Sequence, residues 1–300
     1  KGPMRTIALV VIFVAGYTVF RPFFDPAVAA IEAVNPASTG YLGGLGLPII
    51  LSWVVGGLFA AGAAWVVGKI ALGLRADYLA IATLGIAEII IAIIKNEDWL
   101  TRGVTNVGGL PRPVPYEVDL QQNLTFIRVV EWLHSDPLAA LATDARMARL
   151  DSFIVESSSI FVKLCYAGLF SVVLLIILTL SVRALNSPWG RMMRAIRDNE
   201  VAASAMGKNV TKRHLQVFVL GSAVVGIAGA MLTTLDGQLT PGTYNPLRFT
   251  FLIWVMVIVG GSGNNVGAVL GGFLIWFLWV EAEPVGVWLI TNGTAWMDAA

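Results

Sequence analysis

The chain has 300 residues, 57% of them hydrophobic and 13% charged, with a mean hydropathy of +0.76. Soluble domains carry roughly 25% charged residues, so this composition excludes an ordinary soluble enzyme and indicates an integral membrane protein. The net charge of +1 offers no overall attraction to nucleic acid, and any electrostatic function rests on how charge is distributed along the chain.

A helix needs about 20 mostly apolar residues to cross the hydrocarbon, where the backbone must satisfy its own hydrogen bonds. The first apolar run, from about Thr6 to Phe20, ends at "RPFFDP", where two prolines stop the helix. Because the chain begins with Lys1 and shows no signal-like order of segments before this run, a truncated or processed amino end is expected. Further spans are expected over Leu47–Leu72, Tyr78–Ile94, Ile160–Val182 and Leu215–Leu235. The last apolar region, Phe249–Val280, is interrupted by "GGSGNNVG" (260–267), which reads as a break between two spans or half-spans. Val285–Ile290 is too short to cross alone. Cys165 is the single cysteine and lies in an apolar run, so no disulfide can form within the chain.

Orientation follows from the excess of Lys and Arg in cytoplasmic loops. From Arg183 to His214 there are seven basic residues against two acidic ones, which places that loop in the cytoplasm. Counting spans backwards puts Lys69 and Arg75, and then Lys1 and Arg5, on the same side. Residues 95–159, with nine acidic and six basic residues, then lie outside. That segment opens with a Gly- and Pro-rich loop, "TRGVTNVGGLPRPVP". In "NLTFIRVVEWLHSDP", Leu124, Ile127, Val130 and Leu133 recur at helical spacing, with Asn123 as cap and Pro137 beyond the end. The sequence "PLAALATDARMARLDSF" is expected to form a second external helix. Three regions result: residues 1–94, the external segment 95–159, and residues 160–300.

The charged segment "SPWGRMMRAIRDNEVAASAMGKNV" (187–210) reads as two short helices in tandem. Ser187 and Pro188 make a helix start, and Arg191, Arg194 and Arg197 share one stripe. "DNE" offers a second cap, and "VAASAM" ends at Gly207. Ala202, Ala203 and Ala205 present little side chain, so a partner can approach the backbone closely. The alternative is a solvated positive-inside loop with no partner.

The string from 187 through "TKRHLQVFVLGSAVVGIAGAM" resembles the cytoplasmic loop and following span of the LivM-type permeases, membrane subunits of branched-chain amino acid ABC importers. "EVAASAMG" is similar to the Glu-Ala-Ala…Gly motif by which such permeases dock their ATPases. "LRADYLAIATLGIAEII" (74–90), "GLPRP", and "PGTYNPLRFTFLIWVMVIVGGSGNNVGAVLGG" (241–272) extend the likeness over most of residues 74–280. The resemblance implies an all-α polytopic bundle in a bacterial inner membrane. It further implies a second homologous permease, two cytoplasmic ATPases and an extracytoplasmic solute-binding protein as partners, with ATP and Mg held by the ATPases and no cofactor on this chain. The docking residues implied are Arg194, Arg197, Asp198, Glu200, Ala202, Ala203 and Gly207. A Gly-, Ser- and His-containing stretch usual near the start of such permeases is not found in residues 1–47, and the 115–159 insert is longer than in short members.

No G-x-x-x-x-G-K-[ST] occurs, so ATP chemistry must belong to another chain. His134 and His214 fall on opposite sides of the membrane, the first read as a surface residue, and no catalytic pair can be assembled from them. Glu88 is the ionisable residue in the middle of an apolar span, where a carboxylate is costly unless it faces a cavity or partner. Thr83, Glu88, Asn264 and Asn265 are therefore candidates for the substrate path, against the alternative of a purely structural hydrogen bond for Glu88. Gly56 with Ala60, Gly57 with Ala61, and Gly226 with Ala230 are small residues four apart that let helices approach closely. The tryptophans at 254, 276, 279 and 288 suit interfaces and packing.

The function expected is a permease subunit of an ATP-driven importer of branched-chain amino acids, without enzymatic activity of its own. Alternatives are an ABC permease for urea or a short-chain amide, a self-sufficient secondary transporter or channel using Glu88, and a membrane scaffold without transport.

Overall fold

A computed structural model of the chain describes residues 47–74, 76–97, 108–135, 143–240 and 245–298, with isolated positions between 11 and 22 and at 242. Most of the expected first span, Lys1 and Arg5, Arg75, the 101–107 loop and Pro137 lie outside the described residues. Helices account for nearly all of the rest, as expected of an all-α polytopic protein. They are α1 (Ile49–Ala71), α2 (Ala76–Asn96), α3 (Glu117–Gln122), α4 (Leu124–Leu133), α5 (Thr143–Asn186), α6 (Pro188–Asp198), α7 (Glu200–Ala205), α8 (Val210–Asp236), α9 (Pro246–Gly260) and α10 (Asn265–Asp298). Five of them, α1, α2, α5, α8 and α10, are long and apolar enough to cross a membrane.

The chain divides into two compact units, one of residues 1–70, 94–173 and 214–241, the other of 71–93, 174–213 and 242–300. In the first, α1 and α8 run antiparallel and close. A Cβ on Gly226 would sit 2.5 Å from the Ala60 Cβ, and one on Gly57 would sit 2.7 Å from Ile227 and 2.9 Å from the Ala223 carbonyl oxygen. Gly56 faces Ala230 in the same seam. Spans in lipid associate through such close packing, because no hydrophobic force separates them from the hydrocarbon. At one end of the seam the buried Trp53 Nε1 donates to Thr234 Oγ1 at 2.9 Å, and Tyr166 donates from its hydroxyl to the Thr234 carbonyl at 3.3 Å. Thr234 thereby joins α1, α5 and α8. Phe170 closes the cluster, edge-on to Trp53 with centroids 6.0 Å apart.

The segment from Leu110 to His134 is fastened to this same end. Leu110 N–H donates to the Gly237 carbonyl at 3.2 Å, and Gly237, at φ +65°, needs the freedom of glycine. Arg112 lies against Gly237, pairs with Glu117 at 3.2 Å and stacks over Tyr116. Val114 packs with Val162 and Tyr166, with Cys165 alongside. Asn123 caps α4, accepting from Thr125 N at 2.9 Å. Of the expected apolar face, Val130 is buried and Ile127 half-buried, whereas Leu124 and Leu133 are exposed. His134, read as a surface residue, is half-buried, and its ring stacks on Phe153, 4.2 Å between centroids.

Two boundaries differ from those expected. The second external helix and the span after it are a single α5 of 44 residues, about 66 Å long at 1.5 Å per residue. Serines between the two parts do not break it, because Ser158 and Ser159 donate back to the Val155 carbonyl within the helix. The closing segment after Pro284 is likewise part of α10, which continues through that proline. Losing one backbone hydrogen bond to a proline is tolerated in a long membrane helix.

Replacing Gly226 by Ala should destabilise the protein by about 1–3 kcal/mol, the range for overpacking a tight contact. Ala60→Gly in that background should recover part of the loss. Thermal unfolding in detergent checks both, and an unchanged midpoint for Gly226→Ala would contradict the close α1–α8 seam.

Candidate functional site

The segment between α5 and α8 is a small folded unit rather than a solvated turn. Ser187 caps α6, accepting from Gly190 N at 3.3 Å, and donates from its hydroxyl to the Ala184 carbonyl at 2.6 Å. Pro188 takes the first helical position. The last carbonyls of α5, which no helical amide can reach, are met from α6: Arg194 donates to Leu185 O at 2.9 Å and Arg191 to Asn186 O at 3.3 Å. Gly190 is pressed against the Ala184 and Leu185 carbonyls so closely that a Cβ would collide with both. Two of the three arginines in the stripe therefore hold α6 to the end of α5. Arg197 pairs with the adjacent Asp198 at 3.0 Å in an exposed contact, a geometry that contributes little stability.

Asn199 then ends α6 and starts α7, accepting from Ala202 N at 2.9 Å. Gly207 terminates α7 at φ +74°, with Lys208 N–H donating to the Ala203 carbonyl at 3.2 Å, a left-handed close that favours glycine. Asn209 caps α8 through Lys212 N at 2.9 Å. Ile196, Ala203 and Val210 are buried together, with Met192 and Met193 packed on them. Ala203, expected on the docking surface, thus belongs to the core of the loop. Ala202, Ala205 and Glu200 are exposed, as are Val201 and Met206 at 80% each. Those two apolar side chains were missed in the sequence, where small residues rather than isolated large ones marked the surface.

The four candidates for a substrate path are not brought together by any hydrogen bond or ion pair among the described residues. Glu88 lies on the exposed side of α2, whereas Thr83 is half-buried and donates to the Leu79 and Ala80 carbonyls of its own helix. Asn264 caps α10, accepting from Val266 N at 3.0 Å. Asn265 Nδ2 donates to Ser181 Oγ at 3.1 Å and ties α10 to the last turns of α5. The glycine-rich break is the tip of a hairpin, with Gly261 and Gly263 at positive φ. Gly260 meets Gly267, and Gly271 meets the Met256 carbonyl, too closely for any side chain. With 15 residues, about 22 Å, α9 is shorter than the roughly 30 Å hydrocarbon.

Five apolar helices of crossing length, joined by capped polar segments, make this a multi-pass helical membrane protein. It belongs to the family described as branched-chain amino acid transport system / permease component, whose model matches residues 7–288. Over 248 residues it is 28% identical to the high-affinity branched-chain amino acid transport system permease protein LivM of Escherichia coli, covering 82% of this chain and 53% of that one. A shorter match, 36% over 89 residues, is to the probable branched-chain amino acid transport permease protein LivM of Methanocaldococcus jannaschii, with 30% of this chain and 26% of the relative covered. The xylose transport system permease protein XylH of Escherichia coli is 30% identical over 129 residues, 41% of this chain and 33% of that one. The chain spans about half the length of the Escherichia coli LivM protein it matches. No solved structure matches it.

Gly190→Ala should loosen α6 from α5 without disturbing the spans. Limited proteolysis should then cut within 187–209 at least several-fold faster than in the parent protein, while fragments containing α8 and α10 persist. An unchanged cleavage rate would contradict the assigned role of Gly190.

Proposed function

We propose that the chain is the permease subunit of an ATP-driven importer of branched-chain amino acids in a bacterial inner membrane. It pairs with a second homologous permease, receives solute from an extracytoplasmic binding protein, and docks two cytoplasmic ATPase subunits that hold ATP and Mg and carry out hydrolysis. The observation that carries this reading is the folded unit at 187–209, capped at each helix end and exposing Glu200, Ala202 and Ala205. A merely connecting loop has no need of its own buried core. The basic excess of this segment supports its cytoplasmic placement.

In this reading, closure of the ATPases moves α6 and α7. Gly190, Arg191 and Arg194 pass that movement to the end of α5, and the Ser181–Asn265 bond passes it to the tip of the α9–α10 hairpin. Gly207 fixes the end of α7, and Arg197 and Asp198, paired in an exposed contact, stand at the junction of the two helices. Glu88 and Thr83 remain the candidates for the solute path on α2, with Asn264 and Asn265 setting the hairpin beside it in function. The similarity to XylH favours one second reading, a permease of the same build for another small polar solute.

The test is association of the detergent-solubilised complex with its ATPase subunits. Ala202→Glu, on the exposed side of α7, should lower association at least tenfold while permease pairing and span stability are retained. Ala203→Glu would not serve, since it puts a carboxylate in the core of the loop. Association unchanged by Ala202→Glu would overturn the docking assignment.

A further inference from the structure

α6 and α7 do not meet flush. Between them lies a cavity of about 350 Å³ walled by Met192, Ala195, Ala202 and Met206, with Ile196 and Ala203 as its floor. Its lining is almost wholly apolar, yet it opens on the polar face of a charged loop, with Asp198 and Lys208 at the rim. An apolar cavity of about 150 Å³ holds a benzene ring, so this one accepts a phenyl or leucyl side chain with room to spare. Of its walls Met206 is 80% exposed, as is Val201, next in sequence to the lining Ala202. Large apolar side chains around an open apolar cavity on a water-facing loop mark a surface that another protein covers.

We propose that this cavity is a socket for one large apolar side chain of the ATPase subunit, flanked on that subunit by carboxylates. The proposal rests on the docking reading and adds to it: the permease receives a side chain from its partner as well as presenting small residues to it. Charge selects the kind of occupant. Asp198 is already paired with Arg197, whereas Lys208 at the rim and Lys212 on the first turn of α8 have no ion-pair partner among the described residues. Among the residues lining the cavity the charge that no ion pair neutralises is therefore that of Lys208, with Glu200 outside the lining, and a partner with carboxylates around its apolar residue is attracted and oriented by that ammonium. Central apolar anchors in closed pockets, surrounded by polar rims, are where binding free energy concentrates in protein interfaces.

The experiment uses the whole importer, with its ATPase subunits co-expressed and the membrane intact. A benzophenone amino acid replacing Met206 is irradiated and the attached peptide identified by mass spectrometry, with the same residue in place of the exposed Met147 on α5 as a control. The expected result is attachment of the ATPase at 206 but not at 147, on a segment carrying an aromatic or aliphatic residue among acidic ones. Ala195→Trp, which fills the socket from an exposed position, should lower ATPase association at least tenfold. Attachment of 206 to lipid alone would overturn the proposal, as would Ala195→Trp binding within twofold of the parent. If Ala202→Glu still abolishes association while Ala195→Trp does not, the socket falls and the docking surface stands. If the parent chain retains no ATPase, both fall.

Discussion

A helix that leaves the bilayer exposes carbonyls with no amide to meet them, and burying such groups unpaired costs several kcal/mol. The loop between α5 and α8 is organised around that constraint. Ser187, Arg191 and Arg194 close the end of α5, and Gly190 is needed because the closure is so tight. Once α6 is held in this way, Asn199 turns the chain, α7 folds back, and Ile196, Ala203 and Val210 come together as a core. The surface that the proposed docking would use is what remains outside that core.

The same chemistry recurs along the chain. Asn123, Asn199, Asn209, Asn245 and Asn264 each accept from a backbone amide at the start of a helix. Small residues do the complementary work inside the membrane, where Gly57 and Gly226 bring α1 against α8 and Gly260, Gly267 and Gly271 bring α9 against α10. Thr234 combines both roles: its hydroxyl donates to the Ala230 carbonyl while accepting from Trp53, and its own carbonyl accepts from Tyr166. Thr83, Ser158, Ser159, Thr179 and Thr234 all donate to carbonyls of their own helices, whereas Glu88 is exposed on α2.

Much of this was legible in the sequence because it rests on local signals. Apolar length located α1, α2 and α8 to within a few residues, and Ser187-Pro188, the asparagine caps and Gly207 announced α6 and α7. What could not be read was tertiary. An external helix and a span were expected apart, but they are one α5, and the hydroxyls of Ser158 and Ser159 between them bond within the helix. Val285–Ile290 was expected as a separate short segment, but α10 runs on through Pro284 and includes it. Asn264 and Asn265 carry no mark that distinguishes a cap and a Ser181 contact from a water-lined path. Three alanines in one short helix look equivalent until the packing of Ile196 and Val210 shows which of them is inside. The family resemblance carried the function, and residue spacing alone left the loop open to a simpler reading.

The central claim is that α6 and α7 form the surface through which ATP-driven movement enters the permease. Amide hydrogen exchange across residues 188–206, compared with and without bound ATPase subunits, tests it most directly. The account predicts strong added protection confined to α6, α7 and the Asn209 cap, with the α3–α4 segment unaffected. Unchanged exchange in α6 and α7, with protection appearing elsewhere in the chain, would contradict it.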